Sequence, residues 1–541
     1  MEIWVQSRLK MFQHVMCEYR WHLVLLAFGS IIAYGFHAFN LTLAIDDWPS
    51  LIDSDIHEDQ MVRNGRWLIV FHHRWFEQTT YSPAFYIFMY VVFYLAAAAI
   101  YVILMGIRDR VAIFMLLAVV LLHPFNADMI SFNIGPAHTA VLLAAIAAYV
   151  GAVVIDRVHG RANYLLSGVY LLLAIIVLSL ALSLYQPALY VTASALGFRF
   201  LYRLIKNELA SPLTALLVYI AVIALILVGG YVLWRVEVEV SHVAFNVSPV
   251  GLDDPYSPRG GNISSLAELQ MTLRRFASHF YQYLFRPQHL IPGVAKSIFL
   301  VMLMLFFVRA WQSSSRAGTF SGVLAIAGIA ALLFLPWSLG LVRVISPYGY
   351  RSLLGNIFVA ACIVAILIDI EWNPLMRQGV IILSSVLLVI FMFQNNSASV
   401  LTYTNYERDA AIAARLVEAI ETHPRFEILR EATTVHVIVV GRLPATREGA
   451  FDHVPVRGPM SVSSLGCGPV VCSPDRLSSI LNFFQSSDVN YWPPFSEEYR
   501  TMSAQRRLSF GSVLIEMEPW PHETSVQITD DAEVIIMFAE P

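Results

Sequence analysis

Charge is scarce in this sequence. Asp, Glu, Lys and Arg make up 14% of its 541 residues, apolar residues make up 57%, and mean hydropathy is +0.62. Soluble domains carry about 25% charged residues, so a water-soluble globular protein is excluded. Neither sign dominates: 35 Lys and Arg face 39 Asp and Glu, for a net charge of −4. That balance gives no basic field for nucleic acid, and no motif of that kind appears. Only four cysteines occur, and none has a second Cys/His pair nearby with zinc spacing. The first 20 residues, through Arg20, carry charges and no small-residue cleavage site, so no cleaved signal peptide is expected.

What the chain has in abundance is long apolar runs. In hydrocarbon every backbone polar group must be satisfied within its own segment, so such runs read as spanning helices of about 20 residues. Eleven are expected, near 21–43, 83–106, 111–124, 135–155, 164–184, 187–204, 212–234, 291–310, 319–341, 353–370 and 378–395. The third is short. The fold class is therefore an α-helical polytopic membrane protein with a polar tail.

Lys and Arg in the connections set the orientation. Arg8, Lys10, Arg20, Arg108, Arg110, Arg157, Arg161, Arg199, Arg203, Lys206, Arg309, Arg316 and Arg377 fall in one set of short connections. The other set, Arg63, Arg66, Arg74, Arg235, Arg259, Arg274, Arg275, Arg286, Arg343 and Arg351, is smaller and spread over loops about twice as long in total. The first set is expected in the cytoplasm, with the N-terminus. An odd number of spans then puts residues 396–541 outside. Cys467 and Cys472, in GCGPVVC, are spaced to close a small disulfide loop in an oxidising compartment, or remain two thiols.

Polar material is concentrated on the outer face: loop 44–82, loop 235–290 and the tail. The chain thus divides into a membrane domain, 1–395, with outer loops carrying the chemistry, and an α/β domain, 396–541. In the tail, 406–421 and 475–484 read as helices, and 435–441, 512–518 and 533–540 as strands.

The first outer loop holds the most chemistry. Asp46 and Asp47 end the first span at the lipid–water boundary, where a partly desolvated carboxylate gains basicity. The alternative is two aspartates that merely end a helix. Arg63, Arg66 and Arg74 follow among aromatics, and RWLIVFHHRWF suits an interfacial helix with guanidinium groups at phosphate level. Asp128 either supplements the acids or, preferably, caps the fourth span. Tyr185 and Gln186, at the end of the fifth span, carry groups for a sugar hydroxyl. Lys296 sits inside the eighth span near its outer end, costly without a purpose unless it snorkels. Glu237 and Glu239 in VEVEV read as the solvated face of a short strand. DSD and HED at 53–59 lack ordered metal-ligand spacing, so no metal ligands are assigned.

DDW after the first span, NGRW, SLYQ (183–186), RSLLGNIF (351–358) and TNYERDAAIA (404–413) occur in that order. Together they resemble the glucosyl transferase II (Gtr) family of O-antigen-modifying membrane enzymes, within the GT-C class, across essentially the whole chain. The resemblance implies a multi-pass enzyme of the bacterial inner membrane acting on its periplasmic side. Its donor would be an undecaprenyl-phosphate-linked monosaccharide, its acceptor a lipopolysaccharide glycan, and its companions a small flippase and a donor synthase. It implies an essential aspartate at Asp46, with Asp47 second, and gives Arg66 to the NGR arginine. Relatives differ in sugar and in metal use, so no cofactor is assigned and a divalent ion stays open.

A lipid-phosphate sugar is already activated. A carboxylate must take the acceptor's proton and fixed cations must hold the leaving phosphate. Asp46 or Asp47 is the expected base, and Arg66, Arg343, Arg351 and Lys296 the expected phosphate ligands. Arg63, Tyr185, Gln186 and Asp128 complete the substrate set. Competing readings are the same chemistry on another acceptor such as a pilin, an O-antigen polymerase, and a polysaccharide transporter. The transporter would need midplane charges and inverted repeats, which are missing. The polymerase leaves DDW and NGR unexplained.

Overall fold

The computed structural model describes residues 20–40, 59, 61–76, 83–131, 136–160, 164–247, 259–262, 265–285, 291–338, 343–345, 353–370, 372–433, 435–440, 481, 489, 491 and 516–537. Asp46, Asp47, Arg351, Cys467 and Cys472 lie outside the described residues, as do helix 475–484 apart from Leu481 and most of strand 512–518.

Helices dominate. In chain order they are α1 (Arg20–Phe39), α2 (Leu68–Phe76), α3 (Pro83–Met105), α4 (Arg110–Leu122), α5 (Phe125–Ser131), α6 (Pro136–His159), α7 (Tyr164–Leu184), α8 (Leu189–Ile205) and α9 (Pro212–Ala244). After strand β1 (Arg259–Asn262) come α10 (Leu266–Phe285), α11 (Gly293–Ser314) and α12 (Thr319–Phe334). Strand β2 (Arg343–Ile345) precedes α13 (Leu354–Asp369) and α14 (Pro374–Glu421). The chain finishes with α15 (Phe426–Glu431), β3 (His436–Val440), β4 (Val526–Ile528) and β5 (Glu533–Met537).

Eight of these helices are long and apolar enough to cross a membrane: α1, α3, α6, α7, α9, α11, α12 and α14. The chain is a multi-pass membrane protein. The other three expected spans are shorter helices, with 13 residues in α4, 17 in α8 and 16 in α13. At 1.5 Å per residue none reaches the roughly 30 Å of a bilayer core. They do not have to: α13 is buried from Leu354 through Ile368, and α4 and α8 are buried along most of their length. A helix apolar all round belongs in an interior. The long helices carry the lipid-facing surface, as on α9, where Leu213, Leu217, Ile220, Leu225 and Val228 are exposed.

Helix α4 shows how a short helix survives there. The Asp109 carboxylate accepts from the Ala112 amide at 2.9 Å and caps its start. Pro124 ends it. Its last carbonyls then need donors. Tyr34 and Tyr90 hydroxyls donate to Leu121 O at 3.1 and 2.6 Å, Asn126 donates to Val120 O at 2.8 Å, and Asn395 donates to Leu122 O at 2.7 Å.

The connections expected on one side share one end of the bundle. There Arg377 meets Asp109 at 2.6 Å, Lys206 meets Asp369 at 2.9 Å, Tyr202 OH donates to Asp369 at 2.5 Å, and Arg199 Nη2 donates to both Asp156 carboxylate oxygens at 2.8 Å. Asn207 donates to Ser313 O at 3.1 Å and brings in the α11–α12 connection.

Three expectations are corrected. VEVEV is not a strand: it continues α9, which runs ten residues past the expected end of that span, to Ala244. Span 378–395 and helix 406–421 are one helix, α14, because no proline or glycine interrupts the polar stretch between them. Asp128 lies inside α5, Phe125–Ser131, rather than at the start of α6, which begins at Pro136.

The chain forms two compact units, and the second takes in Ala398–Pro541 together with the short stretches Asn40–His57 and Ser131–Asn133. In the second unit β3 pairs parallel with β5 and β4 antiparallel with β5, giving the order β3-β5-β4. Ile438, Met517, Ile535 and Met537 form its core.

Candidate active site

The NGR tripeptide makes a tight turn just ahead of α2. The Gly65 amide donates to Val62 O at 2.8 Å and the Arg66 amide to Met61 O at 2.9 Å. Gly65 has φ +73, and a Cβ there would sit 2.8 Å from Trp234 Cζ2 and 3.0 Å from Val238 Cγ2. Both backbone conformation and space therefore demand glycine.

Helix α9 grips this turn. Trp234 Nε1 donates to Gly65 O at 2.9 Å, and His242 Nε2 bonds Val62 O at 3.2 Å. Trp234, Val238 and His242 lie four residues apart on one helix face. Val62, Val70 and Val247 pack behind the turn, with Trp67 and Phe245 against them.

The turn reaches the end of α7 on its other side. Arg66 Nε donates to Gln186 Oε1 at 3.2 Å, and Gln186 Nε2 donates to Asn64 O at 3.1 Å. The Arg66 guanidinium lies 5.5 Å from the centroid of the buried Tyr185 ring. The bonds fix the guanidinium's plane and direction. Such an oriented cation suits an oxyanion, because planar N–H groups match phosphate geometry.

The third motif joins through α8. A Cβ on Gly355, of RSLLGNIF, would lie 2.8 Å from Tyr190 Cβ and 3.0 Å from Pro336. Tyr190 follows Gln186 by one turn, and Ser338 Oγ bonds the Tyr190 hydroxyl at 3.4 Å. Trp337 packs 5.1 Å from Tyr283 of α10, and Lys296 Nζ lies 5.7 Å from the Tyr283 ring. Lys296 is buried in the first turn of α11. NGR, SLYQ and LGN, separate in sequence, are thus linked by a chain of contacts that runs on through Trp337 and Tyr283 to Lys296.

Other expected site residues are placed less fully. Arg63 is exposed beside the turn. The Arg343 backbone opens β2 opposite Asn262 of β1. Asp128 occupies α5, whose Phe125 lies 5.9 Å from Tyr283. His72, on α2, is buried, and its Nε2 lies 3.2 Å from Thr139 Oγ1. Burial pushes its imidazole down to about 4. No group of three or more metal-ligating side chains occurs among the described residues.

Sequence reasoning missed Trp234, His242, Asn64 and Glu237. The signal available was the four-residue spacing of 234, 238 and 242. The charges at 235, 237 and 239 hid it by ending the apolar run.

A family model described as Glucosyl transferase GtrII matches residues 35–368, more than half of the chain. The protein belongs to the GtrII glucosyl transferase family. It is a membrane glycosyltransferase, and it acts between a sugar donor and a glycan acceptor. All three converging motifs fall inside the GtrII match, and α14 and the strands β3, β4 and β5 lie beyond it. No curated protein and no solved structure gives a match.

Proposed function

We propose that this GtrII-family enzyme transfers a monosaccharide, glucose by the family's description, from an undecaprenyl-phosphate-linked donor to a periplasmic O-antigen glycan. The reaction takes place at the periplasmic face of the bacterial inner membrane. The N-terminus is cytoplasmic, eleven helices make up the membrane body, and residues 396–541 are periplasmic.

The observation that carries this reading is the Arg66–Gln186 bond of 3.2 Å over the Tyr185 ring. It holds a cation at one end of the bundle, where an oxyanion leaving group can meet it. Arg66 holds the donor phosphate, with Lys296, Arg343 and Arg351 as the further phosphate ligands. Asp46 takes the acceptor hydroxyl's proton as that oxygen attacks the anomeric carbon, and Asp47 is its only substitute. Attack opposite the departing phosphate inverts the anomeric centre. Gln186, Tyr185, Arg63 and Asp128 contact the sugar or the acceptor.

The test is glycan transfer from purified polyprenyl-phosphate glucose in nanodiscs, comparing Asp46→Asn, Asp47→Asn and the double variant. Asparagine keeps the size but cannot accept the proton, so turnover by Asp46→Asn falls by about 10²–10⁴ with donor binding retained. A double variant that turns over like the wild type removes both aspartates as the base.

A further inference from the structure

Helix α9 carries Glu237 one turn beyond Trp234, facing α7. Ser179 Oγ donates to Glu237 Oε1 and Ser183 Oγ to Oε2, both at 2.8 Å. No cation among the described residues pairs with this half-buried carboxylate; Arg235 turns to Glu239 at 3.3 Å instead. An unpaired carboxylate at a membrane boundary is costly. The serines have backbone acceptors of their own, Ile176 O at 2.8 Å and Ser179 O at 3.0 Å, so their bonding needs do not call for it.

The contacts around Glu237 close a ring. Helix α9 holds the NGR turn through Trp234 and His242. The turn holds Gln186 through Arg66 and Asn64. Gln186 lies two residues past the end of α7, and Glu237 ties α7 back to α9. Two sides of the ring belong to the site itself, and the third is the serine–glutamate tie.

We infer that Glu237 is a positioning residue for the Arg66–Gln186 pair. By fixing the last turns of α7 against α9, it sets where Gln186 presents its carbonyl to the Arg66 guanidinium. It acts through those residues and touches no reacting atom. The inference rests on the donor-binding reading of this site for its kinetic consequence, but not for its structural one.

Two readouts test it in full-length protein in nanodiscs. The first is hydrogen exchange of segment 61–67, whose Gly65 and Arg66 amides close the turn. Glu237→Ala should speed exchange there by about tenfold with the far end of the bundle unchanged, and so should Ser179→Ala/Ser183→Ala. Glu237→Gln should resemble the wild type, because an amide both accepts and donates and a serine hydroxyl does the same. The second readout is donor kinetics. Glu237→Ala should raise donor KM by about three- to tenfold with kcat within about twofold, and Glu237→Gln should restore it. In a Gln186→Ala background the same change should add nothing, since the tie has lost what it positions.

Unchanged exchange at 61–67 in Glu237→Ala overturns the proposal. So does Glu237→Gln as impaired as Glu237→Ala, or additivity with Gln186→Ala. Wild-type protein that transfers nothing from the lipid-linked donor overturns the functional reading instead, and the exchange arm still decides the tie.

Discussion

Arg66 and Gln186 stand 120 positions apart in the chain and meet through a 3.2 Å bond between Nε and Oε1. The contact orients the guanidinium against the Tyr185 ring before any substrate arrives. Pre-oriented cations stabilise a leaving oxyanion without reorganising during reaction. Arg66→Ala should therefore weaken use of the lipid-linked donor by roughly ten- to a hundredfold, the value of one charge-assisted contact. Arg66→Lys should restore only part, because an ammonium cannot bond Gln186 and also offer a planar pair of N–H groups to phosphate. Equal donor affinity in wild type and Arg66→Ala removes Arg66 from the phosphate site.

Gly65→Ala tests the turn itself. The left-handed backbone and the 2.8 Å approach to Trp234 leave no room for a methyl group. We expect a loss of about 1–3 kcal/mol, read as a lowered unfolding temperature, together with reduced donor use. A variant as stable and active as wild type would show that the turn tolerates a different geometry.

The opposite end of the bundle should behave differently. Asp369 accepts from Lys206 at 2.9 Å and from the Tyr202 hydroxyl at 2.5 Å, and its side chain is only 8% exposed. Asp369→Ala leaves the Tyr202 hydroxyl unanswered and Lys206 with only the backbone oxygen of residue 369, at 3.2 Å, and should cost about 1.5–3 kcal/mol of stability. Transfer kinetics of the folded fraction should stay at wild-type values. A changed donor KM with an unchanged melting temperature would contradict this division of labour.

His72 gives a pH dependence with a definite sign. Its pKa is lowered from 6.5 to about 4 by burial, so the unfolded chain binds a proton that the folded one refuses. Stability from this group is complete above about pH 6.5 and declines as pH falls towards about 4. His72→Gln keeps a partner for Thr139 and should flatten that decline in thermal unfolding between pH 7 and 4.5. Identical slopes in variant and wild type would exclude His72 as a contributor.

Sidedness can be checked with reporters. Alkaline phosphatase fused after position 400 should be active, and fusions at 108 and 160 inactive. The reverse pattern would invert the proposed orientation. In the periplasm Cys467 and Cys472 should resist thiol labelling until reduced, and ready labelling of both would exclude a bond between them.

Much of the membrane body was legible in the sequence, because preference for hydrocarbon is a local property. A run such as 83–106 declares its solvent by its own residues, and it appears in the structure as α3, Pro83–Met105. The same patterning separated the basic connections that share one end of the bundle. It also singled out Arg66, Tyr185, Gln186 and Lys296, since polar groups near span ends are costly and therefore conspicuous.

What the tertiary structure alone decided is who meets whom. Apolar runs do not say whether they face lipid or other helices, so only packing shows α4 and α13 to be interior. Hydropathy ended the seventh span at 234, because charged residues look like exit from the membrane. Packing on the NGR turn and on Ser179 and Ser183 instead carries the helix on to Ala244. The Arg66–Gln186 bond left no trace in periodicity, since neither residue's neighbours encode a partner 120 positions away. Sequence patterns report the solvent each segment prefers; the site arises from contacts between segments, which the folded bundle alone brings within bonding distance.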